Sequence, residues 1–462
     1  MSFEKSVKKN KIISLVMSAL LMVSMSAALM SACENTDFAI SEQLPYLYNV
    51  EPDYENMVFD DFSEGIDSEK WLIAHQAWGD DNGGVIKENV GYTDDGLLVL
   101  AGNGNYYKGN LRGVGKRSDG TKTGGALISD FTVGPGRYEV KMKVLPRVGA
   151  CSAFWTFSKP TIDGKIENHE IDIEFPGNAD FRKIWNTSYI NLENTGKENY
   201  KTEISPVNDG EWHTYGFDWM TDPARIVYYF DGKQVAEATT IVPYREGRIW
   251  VGVWFPLNWT GNPNFDTDYM FVDYIKYIPF KNQPCFAFEA ETGTVAAKRD
   301  YPSEPIRVEK ENALTNGDFN AAFSENELEN AWGKGRFTGI DKDADILSEI
   351  VYDEKKQSNV IEIRQGGFIS QYIDAVYEGY TYQFDFDAYA ADENASVQIM
   401  FYPGQDTAIQ TENIDITPKE WRHYTKTLTA PAGTERIRIR ISSKGGTLKA
   451  DNIKASFKGK AE

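Results

Sequence analysis

The sequence predicts an all-β protein built as two successive β-sandwich units, and three observations carry that prediction. Aromatic residues make up 13% of the 462 residues and Gly contributes 39, a composition that favours strands and turns over helices. Long helical heptads are absent. Short alternating segments recur instead, bounded by turn residues at the spacing of a sandwich.

The first unit is read over residues 51–281. Its strands include 58–62, 97–100, 137–143, 150–155, 213–219, 225–230 and 250–254, and it closes with 270–277. The dipeptide Asp231-Gly232 after Phe230 is a strong hairpin turn. Residues 282–308 lose the alternation, carry Pro284, Pro302 and Pro305, and read as a linker. Alternation returns in 382–389, 397–402, 437–441 and 451–457, which makes a second sandwich over 309–459.

The first 33 residues read as a targeting segment. Lys5, Lys8, Lys9 and Lys11 precede an apolar run from Ile12 to Met30. The end of that run, Met30-Ser31-Ala32-Cys33, resembles a bacterial lipobox with Met three residues before the Cys. The resemblance implies lipidation at Cys33, a tether over 34–50, and an outer-membrane lipoprotein at the cell surface or facing the periplasm. Glu34 and Asp37 are similar to a surface-export context. With Cys33 so used, Cys151 and Cys285 remain, too few for a disulfide framework. Cys151 sits in an apolar strand and reads as a buried thiol.

The net charge of −21 argues against a nucleic-acid partner and against a polyanionic substrate. The field of the whole protein repels both, unless a local basic groove overrides it.

The chemistry concentrates in residues 169–175. Carboxylates at Glu170, Asp172 and Glu174 alternate with Ile171, Ile173 and Phe175, the period of a half-buried strand. Three like charges on one face repel and raise one another's pKa, which stability alone would not select. In a cleft they supply what a retaining glycosidase needs: an ionised nucleophile, a protonated acid and a third carboxyl to tune them. Four strand steps span roughly 13 Å, whereas retaining carboxyls sit about 5–5.5 Å apart. Glu170 and Glu174 converging from a bent sheet satisfy this, and so does Glu170 with Asp172; spacing leaves the pair open.

Nine of the eleven Trp fall between residues 71 and 259. Pyranose rings pack flat C–H faces on indole while a few polar groups fix orientation. Trp155, Trp185, Trp254 and Trp259 are the expected stacking residues, with Asn186, Tyr189 and Asn258 as hydroxyl partners. Trp212 and Trp219 are assigned to structure.

With these residues in view, segment 50–280 resembles glycoside hydrolase family 16. The matching stretches are 59–62, 134–140, 152–155, the Glu170-Ile171-Asp172-Ile173-Glu174-Phe175 core, 212–219, Asp231-Gly232 and 273–277. The resemblance implies a concanavalin-like jelly-roll sandwich that cleaves internal β-linkages with retention. It further implies Glu170 as nucleophile, Glu174 as general acid/base and Asp172 as the carboxyl assisting the nucleophile. The compact spacing is similar to that of lichenases and xyloglucan-modifying enzymes. Lichenases carry a Trp where this chain has Asn168, and a Glu-Asn-Arg-Ser run where residues 126–129 stand here. Asp273 matches a position that binds a structural calcium in lichenase-like members; no cofactor is required for the reaction. Segment 316–452 is similar to carbohydrate-binding jelly rolls, with Trp332, Tyr402 and Trp421 placed to stack on sugar and Asp318 and Asp451 as further calcium candidates.

The expectation is a retaining endo-β-glycanase acting on a polysaccharide, foremost a β-1,3/1,4-glucan. The alternatives are an endo-galactanase or host-glycan hydrolase, a transglycosylase, and a non-catalytic glycan-binding lipoprotein.

Overall fold

The computed structural model describes residues 45–78, 82–107, 109–114, 120, 122–145, 147–177, 184–192, 196–204, 212–256, 259–263, 265–289, 297–298, 300–305, 313–314, 317–319, 332–340, 347–373, 376, 378–403 and 407–461. Apart from two single 3₁₀ turns, the regular structure in these residues is β-strand. The expected targeting segment, Cys33 and Asn258 lie outside the described residues.

The first unit is a jelly-roll sandwich of a nine-stranded and an eight-stranded sheet. The nine-stranded sheet runs, in spatial order, through Gly196–Ile204, Ile184–Leu192, Lys165–Pro176, Cys151–Ser158, Arg248–Trp254, Gly125–Ser129, Trp71–Ala74 and Ala297–Lys298. Its ninth strand, Thr161–Ile162, pairs beside Lys165–Pro176. The facing sheet is centred on His213–Thr221, Gly136–Lys143 and Thr267–Pro279. Alternation turns Phe154, Ile171, Ile173, Phe175, Ile249 and Val251 inward, against Tyr138, Phe217 and Tyr228 of the facing sheet. Tyr138 stacks on Phe217 with ring centroids 4.5 Å apart. The same alternation turns Glu170, Asp172 and Glu174 to the other face. On that face lies a separate apolar cluster that includes Leu72, Ala126, Ile128, Trp155 and Trp250.

The second unit has its own core between two five-stranded sheets. Ile437, Ile439 and Ile441 of one sheet face that core together with Phe384 and Phe386 of the other. Trp332 is buried against Phe319 at 5.9 Å, a core residue rather than a sugar platform. Trp421 lies beside Tyr389 and the Lys356 ammonium.

Two stretches expected to be loose are docked. At the end of the tether, Tyr46 lies under the Arg137 guanidinium at 4.1 Å, and Tyr48 donates to Glu237 at 2.9 Å. In the linker, Ala297–Lys298 adds an edge strand beside Trp71–Ala74, and Tyr301 donates to the Trp71 carbonyl at 2.7 Å. An open sheet edge is a row of unpaired amides and carbonyls; here the linker covers it.

Candidate active site

The strand Lys165–Pro176 lies between Ile184–Leu192 and Cys151–Ser158, and register turns its acidic face into rows running across the sheet. The Glu170 row is Tyr189, Glu170, Phe157 and Arg248. The Asp172 row is Thr187, Asp172, Trp155, Trp250 and Ile128. The Glu174 row is Trp185, Glu174, Ala153, Gly252 and Ala126. One step further, Cys151 stands between Pro176 and Trp254. Residues directly opposite on paired strands share a face, so all of these side chains belong to the open face of the sheet.

The rows alternate large and small. Trp155 and Trp250 stack at 5.5 Å and 22°, and Phe157 meets Trp250 edge-on at 6.3 Å. Beside Glu174 the floor drops to Ala153, Gly252 and Ala126. A Cβ at Gly252 would stand 2.6 Å from the Ala126 Cβ, so only glycine leaves that floor undistorted. Trp185 and Trp259 stack at 5.0 Å and 18°, and Trp254 meets Trp259 edge-on at 5.7 Å. The result is a shallow trough beside Glu174, with an indole cluster on one side and a buried indole floor on the other.

The carboxylates differ in surroundings. Asp172 is 4% exposed, while Glu170 and Glu174 are half-buried. Asn168 donates from Nδ2 to Glu170 Oε2 at 3.0 Å, two residues away on the same face. The Cys151 thiol stands 3.9 Å from Glu174 Oε1, within hydrogen-bonding reach for sulfur. Burial, with the Glu174 charge adding to it, pushes the Cys151 thiol well above its usual range, so it stays a neutral S–H donor. His169 points the other way, into the sandwich, packing edge-on to Tyr244 at 4.5 Å.

Of the residues expected from sequence, Glu170, Asp172, Glu174, Trp155, Trp185, Tyr189 and Trp254 share this face, with Trp259 against its indoles. Trp155 is 4% exposed and forms floor rather than an open platform. Asn186 does not belong with them. It lies opposite Ile173 and is buried on the core side, because neighbouring residues of a strand point to opposite faces. Asp273 is engaged in an ion pair. Lys141 Nζ pairs with its Oδ2 at 2.6 Å, and no group of three or more His, Cys, Asp or Glu able to hold a metal occurs among the described residues. Asp451 is likewise engaged, accepting from Ser358 at 2.7 Å.

Sequence reasoning missed Trp250, Gly252, Arg248, Cys151 and the role of Asn168. The signal was present: 248, 250 and 252 share the parity of Trp254, Cys151 that of Trp155, and Asn168 that of Glu170.

Comparisons with known proteins find similar sequences and structures. The family model described as Glycosyl hydrolases family 16 matches residues 87–271, and one described as Carbohydrate binding domain matches residues 311–451. A β-glucanase of Acetivibrio thermocellus is 29% identical over 275 residues, 59% of this chain and 73% of that protein. The solved structure of the Bacillus licheniformis β-glucanase is 26% identical with a TM-score of 0.39, over 48% of this chain and 97% of its own. A β-glucanase of Paenibacillus macerans is 32% identical over 213 residues, which span 44% of this chain and 81% of that protein. The matched region holds the whole acidic strand and the tryptophan trough, and the chain belongs to glycosyl hydrolases family 16.

Proposed function

We propose that this chain is an endo-acting β-glucanase whose nucleophile is Glu170 and whose general acid/base is Glu174, with Asp172 beside them assisting the nucleophile. The observation that carries the reading is the set of rows above: three carboxylates on one strand face, flanked by indoles and opening on a floor of small residues. Family membership makes the reaction a retaining glycoside hydrolysis.

In the first step Glu174 gives its proton to the glycosidic oxygen as that C–O bond breaks, and a Glu170 oxygen bonds to the anomeric carbon. The leaving chain departs as an alcohol, and the sugar is held as an ester of Glu170. Glu174, now a carboxylate, takes a proton from water as the water oxygen attacks the same carbon. The ester bond breaks, Glu170 is released ionised, and the β-configuration is restored. Asn168, bonded to Glu170 Oε2, fixes the carboxylate plane. The β-glucanase relatives and the indole-flanked trough support a glucan with β-1,3 and β-1,4 linkages as substrate.

Glu170→Gln should abolish turnover while preserving binding to polysaccharide. Glu174→Gln should lower kcat by about 10²–10⁴-fold, the usual contribution of a positioned acid/base. Product sizing on mixed-linkage glucan, laminarin, xyloglucan, galactans and mucin glycans tests the substrate. Mid-sized oligomers from mixed-linkage glucan are expected. Undiminished turnover in Glu170→Gln would remove the nucleophile from this strand.

We further infer an anchor through a lipid on Cys33, placing the enzyme on the outer membrane. The lysine-led apolar run and residues 30–33 support it. Detergent-phase partition of the full-length protein tests it, and a wholly aqueous protein overturns it.

A further inference from the structure

The second unit carries an unusual charge pattern on the sheet that includes Gly367–Ile373, Arg436–Ser443 and Ala395–Tyr402. Ile437, Ile439 and Ile441 point into the core, so Arg436, Arg438 and Arg440 stand on the outer face, about 7 Å apart along one strand. Aromatic rings interleave with them. Arg436 lies over Tyr372 at 4.7 Å, Arg438 lies 5.4 Å from Tyr372, and Arg440 lies over Phe368 at 5.5 Å.

Among the described residues none of the three arginines makes an ion pair. Arg438 donates to Ser370 Oγ at 2.9 Å and Arg440 to Gln398 Oε1 at 2.8 Å, both neutral partners. The carboxylate on the same face, Asp415, stands at the edge strand opposite Ser396. Burial, and then the Arg438 charge, lower the Arg440 pKa. Three uncompensated like charges on adjacent positions of one face oppose folding. Each guanidinium has five N–H donors in a planar fork, and the neutral partners leave most of them open. In a protein of net charge −21, this is a local basic strip of the kind that overrides the global field.

We propose that this face binds an anionic polysaccharide, the arginines taking sulfate or carboxylate groups carried by its sugars. The carbohydrate-binding family match over 311–451 supplies the ligand class, and the arginine strip supplies the charge. Tyr372, 39% exposed, offers a ring against a pyranose. The proposal goes beyond the reading of the cleft, which requires no charge on the glycan.

The test is electrophoresis of the full chain through native gels holding a sulfated galactan, a polyuronate or neutral mixed-linkage glucan. Retardation is expected in at least one anionic gel, and the sulfated and uronate arms tell the two sources apart. The triple variant Arg436→Gln/Arg438→Gln/Arg440→Gln should weaken that binding at least tenfold, and added salt should weaken it in the wild type. Arg438→Lys, which keeps the charge and loses the fork, should bind less tightly than wild type. A purely structural strip predicts a lower melting temperature for the triple variant; a binding strip predicts an unchanged or higher one. Equal mobility of the wild type in all gels, undiminished binding by the triple variant, or equally tight binding of DNA or polyglutamate overturns the proposal. Hydrolysis of neutral glucan by the triple variant should be unchanged, so failure here and failure of the cleft reading are separable.

Discussion

At the scale of single residues, the contact that sets this site apart is the Cys151 thiol 3.9 Å from Glu174 Oε1. A thiol is a weak donor, and a donor aimed at a carboxylate favours its ionised form. As the proposed general acid/base, Glu174 needs its proton in the first half of the cycle and must lose it in the second. The thiol therefore trades ease of protonating the leaving group against ease of activating water. Cys151→Val, close in volume, removes the donor. The basic limb of the kcat/KM profile, which reports the acid, should then move up by a few tenths of a pH unit, from a hydrogen bond worth about 0.5 kcal/mol at roughly 1.4 kcal/mol per unit. Cys151→Ser, with a stronger donor, should move it down. A limb that stays put in both variants would reduce the thiol to packing.

At the scale of elements, a strand carrying function on one face and core on the other is legible only as far as its own alternation. Residues 169–175 could be divided between cleft and core by eye, since Ile171, Ile173 and Phe175 leave one choice. What alternation cannot supply is which strand lies alongside and in what register, and the rows are made by register. Trp155 landed opposite the buried Asp172, in the floor, because of that unseen pairing. Asn186 failed for a simpler reason: it adjoins Trp185, and two neighbours in a strand cannot both face the cleft. The indole cluster itself joins Trp185 and Trp254 on two strands to Trp259 in a loop. Trp259→Ala removes the stack on Trp185 and the edge contact with Trp254. If these indoles hold sugar, KM should rise between about twofold and tenfold with kcat little changed, from roughly 0.5–1.5 kcal/mol of ring contact common to ground and transition states. A fall in kcat at constant KM would mean that Trp259 only props the acidic strand.

At the scale of the molecule, the sequence marked two sandwiches but not how the chain between and before them is used. Loss of alternation reads the same whether a segment floats or docks, so the edge strand Ala297–Lys298 and the docking of Tyr46 and Tyr48 were invisible. The units also meet: Arg147 pairs with Asp268 at 2.6 Å and donates to the Ala313 carbonyl at 3.0 Å, at the start of the second core. Global pH response follows from the same placements. Between about pH 5 and 7 free Asp and Glu stay ionised and His is the side chain that titrates; the chain has four. His169 is buried between the sheets, and burial holds its pKa below the ordinary value of 6.5 in spite of Glu167 at 3.4 Å. The unfolded chain then takes up that proton more readily than the folded one. His169's contribution is complete above about pH 6.5 and is lost as pH falls toward its folded pKa. In denaturant titrations at pH 7 and pH 5, His169→Gln should lose less stability than wild type over that interval, by up to one proton's worth, about 1.4 kcal/mol per pH unit. Equal losses would mean that His169 is protonated as easily inside the sandwich as in the unfolded chain.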